Sequence, residues 1–353
     1  MGEKKRRMEA RVTISDVAQK AGVSRTAVSF VLNEHGTRNR YVSEETRARV
    51  WQAVQDLQYQ PDLLARALRT GRSMEIAGII DTTQTPLGAE ISLALQQRAL
   101  QYGYMPTTYF SQGLSQEQRQ RLYQQIFARR PLAIVTTPEH FTAGDVERAR
   151  EHGVASFLFY SFAPVPIEQT YSLIIPTREL GYLAATHLLE RGHRHLAIIQ
   201  PADPLYEIQE EPFRQRLAGM RAAIAGHPDA ARVTLDIFPL HLAASAVMSL
   251  VQTHLCGRDR ATGIYAFNDE YAFYLLGALA SQGIHVPRDL AILGTDNLSF
   301  CEGTWPPLTS ISLDGTGMGI RGADLLHSLH QGQTPSEEQT RPLLPLLIQR
   351  AST

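Results

Sequence analysis

From Met74 onward the chain alternates between short apolar segments and longer amphipathic ones, and this alternation is what most limits its fold. The first apolar run, EIAGIID at 75–81, ends in a polar turn, as a buried parallel strand does, and a helical pattern follows at 88–103. Regular β-α alternation requires parallel sheets covered by helices on both faces, with right-handed crossovers. Because about ten strands are predicted in this way, we expect two doubly wound lobes.

The other predicted elements of this region have the following bounds. Strands are predicted at 106–110, 132–137, 154–160, 171–175, 195–200, 233–238, 263–267 and 290–296. Helices are predicted between them at about 115–129, 143–152, 177–191, 213–226, 242–255 and 269–282.

The segment Thr13–Asn33, TISDVAQKAGVSRTAVSFVLN, predicts two short helices. Thr13 is a good N-cap, and Asp16 completes a capping box. Gly22 suits the left-handed conformation of a helix C-cap, and Ser24 caps a second helix at once. Two short helices joined by a tight turn containing glycine form a helix-turn-helix, whose second helix places its N-terminal residues in the major groove of DNA. The alternative is a plain helical hairpin inside another fold.

Charge is distributed unevenly along the chain. Residues 1–72 hold 14 Lys and Arg against 8 Asp and Glu, whereas the rest holds 20 against 27, so the net charges are +6 and −7. A small basic segment before a large acidic one indicates a DNA-binding domain joined to a body with another function. We interpret residues 1–10 as a disordered basic arm, and a solvated tail without DNA contact remains the alternative.

Three segments resemble, in order and spacing, the headpiece of the lactose/galactose-repressor (LacI-type) family of transcriptional regulators. They are Thr13–Asn33, VSEETRARV at 42–50 and LARALRTGRS at 64–73. The resemblance implies an all-α helix-turn-helix headpiece over 11–60, followed by a hinge helix and linker over 61–73.

The resemblance also implies roles for individual residues on DNA. The base-reading positions are Arg25, Thr26, Ser29 and Phe30. The positions that contact the DNA backbone or support that contact are Thr13, Ser24, Asn33, Ser43 and Thr46. In the hinge, Leu68 is the expected minor-groove wedge and Arg69 the cation beside it, because an apolar wedge unstacks one base step and kinks the duplex. Phe30 departs from the polar or basic residue usual in relatives, which leaves the operator sequence open.

Residues 74–353 resemble the family's effector-binding and dimerisation domain, which is similar to the periplasmic sugar-binding proteins: two α/β lobes crossed by three chain segments, with ligand between them. The matching segments are at 179–199, 216–219, 267–297, 306–314, 319–326 and 347–353. We expect the first lobe at about 74–173 and 300–330, and the second at about 174–299 and 331–353.

Three polar residues match effector-binding positions of the family: Arg216, Asn268 and Asp296. The forked donors of Arg216 suit a sugar hydroxyl or a carboxylate, and an aspartate accepts from paired hydroxyls. Two alternatives stay open at this point. Asn268 could only cap the helix that begins at Asp269, and Asp296 could only bond the hinge backbone.

The expected sugar site also departs from the family. Where relatives have Asn-Pro and two aromatic residues, this chain has Thr85, Pro86, Leu87 and Gly88. Leu87 therefore takes the place of an aromatic residue, and the stacking platform is either absent or supplied elsewhere, by Phe141 or Tyr160. The effector is consequently expected to be sugar-like without being restricted to an ordinary hexose.

Other function classes lack their motifs in this sequence. There is no phosphate-binding glycine loop, no G-x-S-x-G elbow and no metal-ligand spacing around Cys256 and Cys301, so we expect no cofactor, no metal and no catalysis. A transport binding protein would need a signal peptide and would carry no basic helix-turn-helix. A DNA-shaping protein with an unused effector cleft remains a third alternative.

The sequence therefore predicts a cytoplasmic, nucleoid-associated transcriptional regulator, a repressor that binds a near-palindromic operator as a homodimer. We expect a small-molecule effector, sugar or sugar-derived, to bind in the cleft between the lobes and to alter operator affinity. No contact with a membrane is expected, because no apolar run approaches the ~20 residues of a membrane span.

Overall fold

The computed structural model describes residues 12–32, 42–59, 73–80, 86–139, 141–202 and 210–353. The chain divides into two units, Met1–Ser73 and Met74–Thr353. Asn33, Leu68 and Arg69, to which the sequence assigns DNA contacts, lie outside the described residues. Within the described ranges, no helix is both long and apolar enough to cross a membrane.

The headpiece contains helices α1 (Ile14–Ala21), α2 (Arg25–Leu32) and α3 (Glu44–Asp56). The predicted caps of α1 and α2 are confirmed: Thr13 and Asp16 form a capping box, Gly22 has φ +66°, and the hydroxyl oxygen of Ser24 accepts from the Ala27 amide. The hydroxyl oxygen of Ser43 caps α3 by accepting a hydrogen bond from the Thr46 amide at 3.3 Å. A small core joins the three helices and consists of Val17, Ala18, Ala21, Val28, Val31, Val50 and Ala53. These are largely the apolar positions that helical spacing predicts.

The first lobe is built on a five-stranded parallel sheet. Its strands are β1 (Glu75–Ile80), β2 (Met105–Phe110), β3 (Ala133–Thr136), β4 (Ser156–Ser161) and β5 (Tyr171–Ile174), in the order β2-β1-β3-β4-β5. The helices are α4 (Pro86–Gln101), α5 (Gln116–Ala128), α6 (Ala143–Glu151) and, from later in the chain, α11 (Gly315–His330). Separate apolar clusters cover the two faces of the sheet, so the lobe is doubly wound.

The second lobe is built on a six-stranded sheet. Its strands are β6 (His195–Pro201), β7 (Thr234–Leu240), β8 (Gly263–Tyr265), β9 (Ala291–Thr295), β10 (Thr309–Ser312) and β11 (Leu346–Ile348), in the order β11-β10-β9-β8-β6-β7. The pair β10–β11 is antiparallel and the other pairs are parallel. The helices are α7 (Thr177–Glu190), α8 (Glu210–Ala225), α9 (Ala244–Leu250) with a π-helical extension at Val251–Leu255, and α10 (Asp269–Ser281). The short helix α12 (Glu337–Thr340) follows α11 and packs against it, so it belongs to the first lobe. Short 3₁₀ turns lie at Ala230–Arg232 and Ser299–Glu302.

The chain crosses between the lobes three times: after β5, after β10, and between α12 and β11. The predicted fold class is confirmed. Two expected boundaries are wrong. Residues 309–312 pair with β9 and belong to the second sheet, whereas we expected the first lobe to resume at about 300. Helix α12 packs against α11 of the first lobe, whereas we expected the second lobe to resume at about 331. The chain returns to the first lobe only with α11, whose apolar face packs with α4.

Candidate functional site

The exposed N-terminal end of α2 carries the predicted base-reading residues. Arg25 and Thr26 are exposed, and Ser29 and Phe30 are half-buried. The hydroxyl oxygen of Ser24 accepts a hydrogen bond from the Ala27 amide at 3.1 Å, so Ser24 holds the first turn of this helix. Arg25 is therefore an exposed cation in the first turn of α2.

The predicted backbone-contact residues mostly act as helix caps in the headpiece. The hydroxyl group of Thr13 donates to the Asp16 carboxylate at 2.8 Å, and that of Ser43 donates to the Thr46 hydroxyl at 3.0 Å. Such positions lie at helix N-termini, where amides and small polar side chains can face phosphates. Their contact with DNA remains a prediction.

A cavity of about 190 Å³ lies between the two lobes of the body, at the carboxyl ends of several strands. The predicted effector residues that line it are Leu87, Tyr160, Arg216, Asn268 and Asp296. Ligands of open α/β sheets bind at this edge, because the loops that follow the strands meet there. The structure thus brings together five residues that are widely separated in sequence, and their roles toward an effector remain predictions.

Arg216 is a buried cation of the cavity wall, with 6% of its surface exposed. One terminal nitrogen donates to the carbonyl oxygen of Phe267, and the guanidinium lies 4.1 Å from the centre of the Phe267 ring. Its Nε atom is buried without a hydrogen-bond partner among the described residues. A buried donor without a partner costs about 1–3 kcal/mol of stability.

The position of Arg216 depends on a close approach of α7 and α8. A β-carbon on Gly219 would overlap the carbonyl oxygen of Arg178, and one on Gly181 would overlap the carbonyl oxygen of Arg216. The hydroxyl group of Thr177 also donates to Gln215 at 2.6 Å across the same contact. The two glycines therefore set the separation of the helices and, with it, the position of Arg216.

Asp296 directly follows β9 and has a backbone φ of +99°, a region that residues other than glycine rarely adopt. Its amide donates to the carbonyl oxygen of Ile311 at 2.9 Å. Burial raises the pKa of its carboxyl group to about 7, with the charge of Arg216 acting in the opposite direction. The alternative role of Asp296, a bond to the hinge backbone, is filled by its amide group. Asp296 also lines the cavity.

The raised pKa of Asp296 predicts a pH-dependent stability. Between the ordinary value of 3.8 and about 7 the folded protein binds the extra proton, so its unfolding free energy falls as pH rises through that window. The slope is at most about 1.4 kcal/mol per pH unit. We expect Asp296→Asn to flatten the dependence of unfolding temperature on pH, measured without effector. The same slope in both proteins would show that another group titrates.

Asn268 and Asp269 begin α10, and they differ in role. The side-chain oxygen of Asn268 accepts from the Tyr271 amide at 3.1 Å, so the capping interpretation is correct, although Asn268 also lines the cavity. Asp269 is fully buried and accepts from the Ser310 hydroxyl at 2.7 Å and the Leu298 amide at 2.8 Å. It ties α10 to β10 and to the segment after β9, a role that no pattern in the sequence indicates.

Phe141 does not line the cavity, so its expected role as a stacking platform is wrong. It is 1% exposed and packs edge-on against Tyr123 and Phe127 in the core beneath α5 and α6. Tyr160 does line the cavity, with its hydroxyl group donating to the carbonyl oxygen of Met318 at 3.1 Å. Burial raises the pKa of Tyr160, which keeps this hydroxyl protonated.

The cavity wall also contains polar residues that the sequence analysis did not select, among them Gln96, Thr108, Thr137 and Thr177. Thr108 and Thr137 lie in or just after first-lobe strands, and Gln96 lies on α4. The general rule that strand ends face the cleft could have indicated Thr137, which directly follows β3, but not Thr108, which lies within β2. Nothing in the sequence distinguishes Gln96 from the other glutamines of its helix.

Two sequence families match the chain. Residues 13–62 match the bacterial regulatory proteins of the lacI family, and residues 185–353 match the periplasmic binding protein-like domain. The HTH-type transcriptional repressor PurR of Actinobacillus pleuropneumoniae serotype 3 (strain JL03) is 28% identical over 343 residues, covering 96% of this chain and 98% of the relative. PurR of Escherichia fergusonii is 28% identical over 345 residues, covering 96% of each chain.

Two solved structures match the fold of this chain over almost its whole length. A lac repressor dimer bound to operator and the anti-inducer ONPF is 25% identical with a TM-score of 0.73, covering 97% of this chain and 99% of that one. The transcriptional regulator CelR in complex with cellobiose is 23% identical with a TM-score of 0.64, covering 97% and 100%, and supports the fold. With a lacI-type headpiece, a two-lobed body and relatives matched from end to end, the chain belongs to the LacI/GalR family of transcriptional regulators.

Proposed function

We propose that this protein is a transcriptional repressor that binds a near-palindromic operator as a homodimer and is controlled by a small molecule, sugar or sugar-derived, in the cavity between its lobes. One observation carries the proposal: a headpiece with Arg25 at an exposed helix end is joined to a body whose cavity unites Arg216 and Asp296. The relatives are named as repressors, which favours a binding site over an active site and a cytoplasmic place of action on the nucleoid.

Operator recognition is assigned to α2. Arg25 can bond guanine through two parallel hydrogen bonds, Thr26 and Ser29 can bond base edges, and Phe30 can pack on thymine methyl groups. Thr13, Ser24, Asn33, Ser43 and Thr46 contact or support contact with the backbone, and Leu68 and Arg69 of the hinge enter the minor groove. Since one helix reads few bases, two half-sites and a dimer are needed.

The first experiment is selection of binding sites from random duplex DNA by the full-length protein. We expect a near-palindromic site, and a sequence without two-fold symmetry would contradict the proposal. The affinity for the selected duplex is then measured with and without candidate effectors. A compound that binds the body should change this affinity by about 5–150-fold, the usual range of coupling between sites.

Replacement of Arg25 separates base reading from phosphate attraction. Arg25→Lys keeps the charge but loses the fork, so we expect it to weaken operator binding by about 1–3 kcal/mol and to relax one operator position. Binding to unrelated DNA should change little. Fluorescence anisotropy with single-base operator variants measures both. Equal losses on operator and unrelated DNA would assign Arg25 to a phosphate instead.

An exposed aromatic surface on the second lobe is suited to the homodimer contact. It consists of Phe273, Tyr274, Phe300 and Trp305, of which Trp305 is 91% exposed. The rings of Phe273 and Phe300 contact edge-on with centres 5.6 Å apart. Clustered exposed apolar side chains mark an interaction site, and the solved lac repressor is itself a dimer.

We expect Phe273→Ser to weaken dimerisation at least tenfold, about 1.4 kcal/mol, since an aromatic anchor is lost from the interface. Sedimentation equilibrium of the full-length protein measures the change. Tyr182→Ser is the control, because Tyr182 is a similarly exposed aromatic residue on α7, outside this surface. If the two substitutions weaken dimerisation equally, the aromatic surface is not the dimer contact.

A further inference from the structure

A cluster of aromatic and charged side chains joins the C-terminal ends of α4 and α11. It consists of Arg98, Tyr102, Tyr104, Asp324, His327 and His330. The rings of Tyr102 and His327 stack with their centres 3.9 Å apart and their planes inclined by 2°. None of the six residues lines the cavity between the lobes, so the cluster lies outside the proposed effector site.

The hydroxyl group of Tyr104 is a buried part of this cluster. Tyr104 is 2% exposed, and its hydroxyl oxygen lies 2.7 Å from Nδ1 of His327. Burial raises the pKa of Tyr104 to about 12, so the hydroxyl group keeps its proton at physiological pH. Within the described ranges no second hydrogen bond of this hydroxyl group is found. Because a buried donor without an acceptor is costly, Tyr104 donates to His327, and Nδ1 of His327 carries no proton.

The charged and titratable groups beside His327 come from both helices. On α11 itself, Asp324 lies one turn earlier and His330 one turn later. From α4, Nε of Arg98 donates to Oδ1 of Asp324 at 2.6 Å. The hydroxyl group of Tyr102, in the turn after α4, donates to the same oxygen at 2.7 Å. The negative charge of Asp324 is thus matched by the cation of Arg98 beside it.

A second proton on His327 would change this arrangement. Nδ1 would become a donor, so the Tyr104 hydroxyl group could no longer donate to it, and the hydroxyl proton would be buried without an acceptor. Histidine is the side chain whose unperturbed titration lies between pH 5 and 8. The hydrogen bond therefore contributes stability above the pH at which His327 titrates, and that contribution is lost as pH falls through this value.

The same hydrogen bond lies next to the point where the chain enters the body. Tyr104 directly precedes Met105, whose amide group donates to the carbonyl oxygen of Met74 at 2.9 Å. Met74 is the first residue of the body, and β1 begins one residue later. His327 belongs to α11, which begins at Gly315, shortly after the second crossing between the lobes. The bond therefore joins the helix that follows this crossing to the strands at which the linker from the headpiece ends.

We propose that Tyr104 and His327 form a pH-sensitive contact, which holds the start of β2 and Met74 in place at neutral pH and releases them when His327 gains a second proton. Operator affinity then falls on acidification, because the headpiece is attached to a less firmly held residue. This second step rests on the proposed function, whereas the loss of the contact does not. The input is a proton, and no ligand in the cavity is needed.

Tyr104→Phe removes the hydroxyl group and keeps the ring. At about pH 8 we expect the unsubstituted full-length protein to bind the selected operator duplex about twofold to tenfold more tightly than this variant, the contribution of one hydrogen bond. At about pH 5.5, below the ordinary value for histidine, the two affinities should be equal. Unfolding temperatures should differ by about 1–4 °C at the higher pH and agree at the lower one. Fluorescence anisotropy and circular dichroism measure these quantities at constant ionic strength, because DNA binding depends on salt.

Tyr109→Phe is the matched control. Tyr109 lies on β2, which Tyr104 directly precedes, and its hydroxyl group donates to Oε1 of Glu75 at 2.7 Å. Because this acceptor is a carboxylate oxygen and not an imidazole nitrogen, the effect of Tyr109→Phe should be the same at both pH values. His327→Gln removes the imidazole, and in that background the effect of Tyr104→Phe should no longer depend on pH.

The outcomes separate the contact from the proposed function. Unfolding temperatures that converge at low pH, only where His327 is present, support the contact. A Tyr104→Phe effect of equal size at both pH values, or a pH dependence that His330→Gln abolishes and His327→Gln leaves intact, would overturn it. If the unfolding temperatures converge but the affinity ratio stays constant, the contact does not regulate operator binding. Converging unfolding temperatures without operator binding at any pH would support the contact and mark failure of the proposed function instead.

Discussion

Gly219→Ala is expected to destabilise the second lobe by at least about 3 kcal/mol, the upper range for overpacking of a rigid contact. The added β-carbon would overlap the backbone of Arg178 and approach the amide of Tyr182, and backbone atoms cannot rotate away as a long side chain can. The helices α7 and α8 would have to separate, opening a core that includes Leu180, Leu217 and Met220.

The change is measured as the unfolding temperature and the urea midpoint of the full-length protein by circular dichroism. Gly144→Ala is the matched control, because a β-carbon at Gly144, in the first turn of α6, meets its neighbours only at 3.7 Å. That variant should be neutral or gain up to about 1 kcal/mol from the helix preference of alanine. If Gly219→Ala and Gly144→Ala have the same unfolding temperature and urea midpoint, the close approach of α7 and α8 does not constrain packing.

Arg216→Ala is expected to weaken effector binding by about two to three orders of magnitude, roughly 3–4 kcal/mol, because it removes a buried charged donor from one end of the ligand. Operator binding without effector should survive, since the headpiece is a separate unit of the chain. The variant should therefore bind operator but no longer respond to effector. Loss of the Arg216 charge should also raise the pKa of Asp296 further, because that charge lowers it now.

Two further variants define the role of the guanidinium group. Arg216→Lys keeps a cation but not the planar fork, so we expect an intermediate loss of effector affinity. Arg221→Ala changes an exposed arginine on the same helix and should leave effector affinity as it is. Calorimetry gives the affinities, and anisotropy on operator gives the response. A full response in Arg216→Ala would place the effector elsewhere.

The headpiece could be predicted almost completely from local sequence. Caps at Thr13, Ser24 and Ser43, a left-handed glycine at Gly22 and apolar spacing of three to four residues determine where short helices begin, end and pack. Each of these signals acts within a few residues, so the sequence contains them in full. The same holds for the β-α alternation, where most predicted bounds differ from the structure by only one to three residues.

The lobe boundary and the stacking platform could not be predicted in this way. Thr309–Ser312 joins the second sheet through its pairing with β9, a contact with residues 291–295 that no local pattern specifies. Phe141 and Tyr160 are both apolar residues near first-lobe strands, yet they face opposite sides of the sheet. Tyr160 faces the side that carries α4, α11 and the cavity, whereas Phe141 faces α5 and α6.

The order of domains, the helix-turn-helix and the two sheets of mainly parallel strands could be predicted from the sequence, because caps, turns and apolar periodicity are local properties. The sequence also indicated Arg216, Asn268 and Asp296, through resemblance rather than through geometry. That these residues share one cavity, and that the buried Asp269 ties α10 to β10, became visible only in the folded arrangement. Those properties depend on packing between residues as far apart as Leu87 and Asp296, and no local pattern encodes such contacts.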